Sequence, residues 1–135
     1  MKNKTKLIGN VASPYTRKMI AYLRYKRIPF EVIWGQPEEV LEKMNIQPPK
    51  PVLLPVFILE KEGEEQAVTD STPLIRYFEN LYPERSVLPK NPVMNFINYV
   101  LEDFGDEWCT KYMFHYRWHF EEDADNAGTI LPLGI

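Results

Sequence analysis

Apolar residues recur along the first eighty positions in two rhythms, and each change of rhythm marks a new element. Leu7 and Ile8 centre a short apolar strand over residues 4–10. Met19, Ile20 and Leu23 then recur at helical spacing, which predicts a helix over 14–27 that Pro29 stops. Phe30-Glu31-Val32-Ile33-Trp34 alternates apolar and polar residues with β-branched members, the pattern of a second strand. Val40, Leu41 and Met44 return to helical spacing over 36–45. Residues 47–51, Gln-Pro-Pro-Lys-Pro, form a loop, because proline removes amide donors and pushes its predecessor out of the helical region. Val56-Phe57-Ile58-Leu59 reads as a third strand, Glu62-Gly63-Glu64 as a turn and Gln66-Ala67-Val68 as the hairpin partner. Leu74, Ile75, Phe78 and Leu81 line one face of a third helix over 71–82. The expected order is β-α-β-α-β-β-α, an α/β arrangement.

Pro83, Pro89 and Pro92 then punctuate a connector, which marks the best domain boundary. Beyond it Phe96, Ile97, Val100, Leu101, Phe104, Trp108, Tyr112 and Met113 form a helical stripe, and Tyr116, Trp118 and Phe120 continue the apolar content. One or two helices are expected, with too little chain around them to be buried by themselves. The expected organisation is an α/β domain over 1–83, a linker over 84–92, a partial helical domain over 93–125 and a patternless tail over 126–135, open to disorder. An uncovered aromatic face predicts self-association, a homodimer or other oligomer, since burying apolar area is favourable by about 25 cal/mol per Å2.

Composition narrows the function classes. Of 135 residues, 44% are hydrophobic and 26% charged, the balance of a globular protein rather than a disordered or membrane one. A net charge of -3 gives no electrostatic reason to bind nucleic acid or an anionic membrane. The start is basic, but Gly9 and Asn10 interrupt the apolar run after it, so neither a signal peptide nor a membrane span is expected. With Cys109 the single cysteine, no internal disulfide forms, and a reducing cytoplasm is the expected compartment. Cys109 itself reads as a buried small apolar residue. His115 and His119, four apart on a helix, have the spacing of a metal pair. Tyr116 stands where a His-Glu-x-x-His motif carries its glutamate, so the pair reads as structural or superficial and no metal is expected. Glu121-Glu122-Asp123 reads as a solvated helix end.

Ser13-Pro14-Tyr15-Thr16 lies where the first strand gives way to the first helix. Hydroxyls occupy both positions where a Cys-Pro-Tyr-Cys motif would carry thiols, so dithiol exchange is excluded here. What survives is a hydroxyl at a helix N-terminus, where free amides and the helix dipole favour an anion such as a thiolate. Ser-Pro is equally a preferred capping pair, and Asp70-Ser71-Thr72-Pro73 offers a second cap, with Ser71 or Thr72 closing the helix and Asp70 set against its dipole. Residue types alone leave both readings open.

The element order, the Ser-Pro-Tyr helix opening, a proline entering the third strand in Leu54-Pro55-Val56, and Asp70-Ser71 opening the third helix together resemble the N-terminal domain of glutathione transferases over about residues 4–90. The segment from Glu107-Trp108 through Tyr116-Arg117-Trp118 is similar to the opening helices of that family's all-helical second domain. The resemblance implies a thioredoxin-like fold followed by a short helical extension, with glutathione as co-substrate. It implies Ser13 as the catalytic hydroxyl that holds the glutathione thiolate, with Thr16 a weaker candidate, Tyr15 in packing and Arg17 adding positive potential. It further implies a cis bond before Pro55, where sequence alone predicts trans, so that the Leu54 backbone pairs with the cysteinyl unit. Ser71 and the helix amides would bind the γ-glutamyl carboxylate, Asp70 would receive the ammonium, and Lys50 would meet the glycyl carboxylate. The implied function is activation of the glutathione thiol for conjugation to an electrophile. The alternative is a non-catalytic glutathione-binding or protein-interaction module of the same fold.

Overall fold

The structure is a computed structural model and describes residues 5–61 and 63–134. Residue 4, where the first strand is expected to begin, and Glu62 of the expected turn lie outside them. Within the described residues β1 (Thr5–Gly9), α1 (Pro14–Lys26), β2 (Phe30–Trp34), α2 (Pro37–Lys43), β3 (Val56–Lys61), β4 (Glu64–Val68) and α3 (Ser71–Leu81) follow in the expected order. The sheet order is β2-β1-β3-β4, with β2 parallel to β1 and the other two pairings antiparallel. A parallel neighbour requires a crossover, and α1 supplies it.

Strand alternation sends successive side chains to opposite faces, and each face has its own helical cover. Ile8, Val56 and Ile58 pack with Leu41 of α2. Leu7 and Phe57 are register partners on the other face, where the Phe57 ring lies 5.5 Å from that of Phe78 in α3. Met19 and Leu23 of α1 are likewise fully buried. Close approach of α1 to β1 explains Gly9: a Cβ there would lie 2.5 Å from Cγ2 of the buried Thr16.

All three helices of this unit end one or two residues earlier than expected, and two of the ends are closed by a left-handed residue. Arg27 takes a left-handed conformation (φ 58°), and the Ile28 amide donates to the Leu23 carbonyl at 3.0 Å, closing α1 at Lys26. Asn45 (φ 56°) does the same after α2, with the Ile46 amide donating to the Leu41 carbonyl at 3.0 Å. Neither position carries the glycine that usually announces such an end.

Lys18, Tyr22 and Lys26 form one ridge of α1 along α3, each a turn from the next. Lys18 Nζ donates to Ser71 Oγ at 3.2 Å. The Tyr22 hydroxyl donates to Glu79 Oε1 at 2.9 Å, with the Ile75 carbonyl 3.3 Å away. Lys26 Nζ lies 2.9 Å from Glu79 Oε1 and also donates to the Tyr82 carbonyl. Burial, then the hydrogen bond to Glu79 and its charge, push the Tyr22 hydroxyl far above its ordinary pKa of 10.0. A pKa raised by folding adds stability that is fully present below the unfolded value and is lost as pH climbs beyond it. Urea unfolding measured at neutral pH and in steps above pH 10 should therefore show stability falling more steeply in the wild type than in Tyr22→Phe.

Residues Ser86–Pro132 form a second compact unit. It contains α4 (Pro92–Asp103), a π-helical turn (Phe104–Trp108), α5 (Cys109–Trp118) and α6 (Glu121–Ile130), followed by a 3-10 turn over Leu131–Gly134. Asn91 caps α4 by accepting from the Val93 and Met94 amides at 3.0 and 3.2 Å. No residue of α4 or α5 is buried, and Phe96 and Leu101 remain 67% and 63% exposed. The aromatic stripe is present and uncovered. Cys109 is half-buried rather than buried, and the rings of His115 and His119 stack with centroids 4.6 Å apart. The helix α6 runs through residues where the apolar pattern stops; its first turn instead carries Glu121, Glu122 and Asp123, which favour the dipole. Among the described residues no helix is long and apolar enough to cross a membrane, and no group of three or more His, Cys, Asp or Glu is placed to hold a metal.

Candidate functional site

Strand register gathers three distant segments at one end of the sheet. Ile8 pairs with Val56, and Phe57 with Val68, so the exit of β1, the entry to β3 and the exit of β4 share an edge. The segments that meet there are the turn into α1 with Ser13, the loop ending in Leu54-Pro55, and the Thr69-Asp70-Ser71 entry to α3.

Ser13 is the N-cap of α1, with extended backbone (φ -80°, ψ 120°), and its Oγ accepts the Thr16 amide at 3.2 Å. The preceding turn is fixed by its own side chains: Asn10 Oδ1 accepts the Ala12 amide at 2.9 Å, and Arg17 Nε donates to the Val11 carbonyl at 3.0 Å. Arg17 thus braces the turn. Capping uses the Ser13 oxygen as an acceptor, which leaves its hydroxyl proton to be donated elsewhere. Thr16 is fully buried and its Oγ1 faces the Asn10 amide at 3.4 Å, so it does not present its hydroxyl to a ligand.

The Leu54–Pro55 peptide is cis, and so is Lys50–Pro51, which no motif in the chain announces. Pro55 is fully buried, Leu54 half-buried and Lys50 exposed. The Thr69 hydroxyl donates to the Leu53 carbonyl at 2.6 Å, joining this loop to the entry of α3.

The residue that caps α3 is Asp70, not Ser71 or Thr72: its carboxylate accepts the Thr72 amide at 3.1 Å. Asp70 has φ 80°, a sparsely populated region for a residue with a side chain, of the kind that clusters at binding sites. Its two oxygens offer about four lone-pair sites, so the cap leaves acceptor capacity exposed to solvent. Ser71, the first residue of α3, is buried and carries the Lys18 ammonium on its hydroxyl. Lys18 has no motif to announce it and reads as a solvated helix lysine. Its one sequence signal is the four-residue spacing to Tyr22 and Lys26. Two helix N-termini and Lys18 make one side of the site attractive to anions, while Asp70 supplies a negative group beside it.

A four-stranded mixed sheet covered by α1 and α3 on one face and α2 on the other, followed by helices, defines a thioredoxin-like fold with a helical C-terminal part. The family described as glutathione S-transferase, N-terminal domain, matches residues 7–86. The chain belongs to the glutathione S-transferase family.

Among solved structures, a glutathione S-transferase from Methylobacterium radiotolerans in complex with glutathione sulfonate is 24% identical. The match covers 84% of this chain and 52% of that one, with a TM-score of 0.67. A glutathione S-transferase from Rhodospirillum rubrum is 27% identical over 76% of this chain and 45% of its own, with a TM-score of 0.59. A glutathione transferase homolog from Burkholderia with bound glutathione is 13% identical over 81% of this chain and 57% of its own, with a TM-score of 0.63. The chain spans about half the length of these structures. A search of curated protein sequences gives no match.

Proposed function

We propose that the first unit binds glutathione and that Ser13 activates its thiol for conjugation to an electrophile. The observation that carries this reading is the convergence of Ser13, Leu54-Pro55 and Asp70-Ser71 at one sheet edge, with Lys18 and Thr69 bonded to the same segments. Family membership and the glutathione carried by the Burkholderia homolog support the choice of ligand. In this reading Ser71, the α3 amides and Lys18 receive the γ-glutamyl carboxylate, and Asp70 receives the ammonium. The Leu54 backbone pairs with the cysteinyl unit, and Lys50 supplies positive charge for the glycyl carboxylate. The Ser13 hydroxyl donates to the sulfur, which favours the thiolate and lowers the thiol pKa. The thiol proton leaves to solvent; the sulfur lone pair then forms the new carbon–sulfur bond as the leaving group departs with its electrons.

The aromatic stripe of α4 and α5 is assigned to a second copy of the chain, giving a homodimer, and a reducing cytoplasm suits a thiol co-substrate and a single cysteine. The uncovered stripe also favours a second reading, in which the same fold binds glutathione without turnover and serves as an interaction module.

Calorimetric titration with glutathione tests the site, and a chromogenic aromatic halide tests turnover. Wild type is expected to bind, and Ser71→Ala to bind about tenfold more weakly through loss of a charge-assisted hydrogen bond. No heat from the wild type would refute the reading; binding without conjugation would leave the interaction module.

A further inference from the structure

Thr69 immediately precedes Asp70, and Leu53 immediately precedes Leu54, so the 2.6 Å bond from the Thr69 hydroxyl to the Leu53 carbonyl spans two segments of the candidate site. That distance is at the short, strong end for O–H···O. The acceptor matters as much as the distance. Cis bonds among the described residues lie before Pro51 and Pro55, so the Leu53–Leu54 peptide is trans. A trans peptide is planar, with its C=O and N–H pointing in opposite directions. Holding the Leu53 oxygen therefore sets the direction of the Leu54 N–H.

The loop needs such a brace. Residues 47–55 lie outside every helix and strand, and four of those nine are prolines with no amide to donate. A peptide plane free to rotate here would have to be ordered each time a ligand bound, at a cost in affinity.

We propose that Thr69 is a positioning residue for glutathione: its hydroxyl presets the Leu54 amide for the cysteinyl carbonyl of the tripeptide. This rests on the glutathione reading of the site. Thr69 touches no reacting atom, so its loss weakens binding and leaves the chemistry of the sulfur alone.

Wild type, Thr69→Val, Thr69→Ala and Thr69→Ser decide it, with glutathione titrated calorimetrically and the Leu54 amide followed by NMR in 15N-leucine protein. Thr69→Val keeps the branched shape, and Thr69→Ala serves as the second hydroxyl-free variant should valine fold poorly. Both are expected to raise the glutathione Kd about three- to tenfold, the worth of one hydrogen bond. Both should shift the Leu54 amide resonance in the unliganded protein while the pKa of the bound thiol and kcat at saturation stay at wild-type values. Thr69→Ser should restore the Kd and the resonance. Wild-type affinity in both hydroxyl-free variants, or an unmoved Leu54 amide, overturns the positioning role alone. A wild type that does not bind glutathione overturns it together with the reading beneath it.

Discussion

Lys26→Met is expected to cost about 3–5 kcal/mol of stability, the largest single effect foreseen in the first unit. The Lys26 and Glu79 side chains are 0% and 5% exposed and stand 2.9 Å apart. Removing the ammonium takes the Lys26 counter-charge from a carboxylate that is out of water, and a buried charge that loses its counter-charge costs far more than the pair contributed. Lys26→Met combined with Glu79→Leu removes both charges and should recover most of the loss. The exposed pair Lys6–Glu65 provides the contrast. Its separation is 2.8 Å, yet its side chains are 36% and 48% exposed, so Lys6→Met should change stability by no more than about 1 kcal/mol. Urea unfolding of the four proteins measures all of this. A Lys26→Met loss as small as that of Lys6→Met would mean that the α1–α3 pair is not dry.

The parts of this molecule that were legible in its sequence are those written by local rules. Alternation announced β2, short apolar runs announced β1 and β3, and helical spacing announced α1 and α3, because a face that must be buried has to be apolar at the period of its element. Ser13-Pro14 and Asp70-Ser71 stand out for a similar reason, since helix caps admit few residue types, whereas the cis bond before Pro55 was implied by the family resemblance alone. What stayed hidden depends on register between distant segments. Lys18–Ser71 and Lys26–Glu79 are each 53 residues apart, as the numbering shows, and nothing near a lysine in a helix says whether its ammonium meets water or another helix. Thr69 was invisible because its partner is a backbone carbonyl, which has no residue signature. Glu121-Glu122-Asp123, expected as a solvated helix end, instead opens α6, whose first turn is stabilised by acidic residues rather than marked by a stripe. For α4 and α5 the opposite holds: the stripe was plain, and what covers it is not written in it.

Ser13→Ala is expected to lower kcat/KM for conjugation about 10- to 100-fold, since a hydrogen bond to a charged group is worth about 1.5–3 kcal/mol. In the proposed mechanism that bond exists only when the sulfur is ionised. Its loss should therefore raise the pKa of the bound thiol toward the ordinary cysteine value of about 8.5, moving the pH–rate profile to higher pH, while the glutathione Kd measured below the pKa of the bound thiol changes little. Capping complicates a simple reading of the variant. Ser13 Oγ also accepts the Thr16 amide, and alanine at an N-cap costs about 1 kcal/mol of helix stability. Glycine separates the two roles, because it replaces a capping serine at a cost of a few tenths of a kcal/mol while removing the same hydroxyl. Ser13→Gly should thus be as slow as Ser13→Ala but close to wild type in unfolding midpoint. If both variants conjugate at the wild-type rate, the hydroxyl is a cap and nothing more, and thiol activation must come from the amides of the α1 N-terminus.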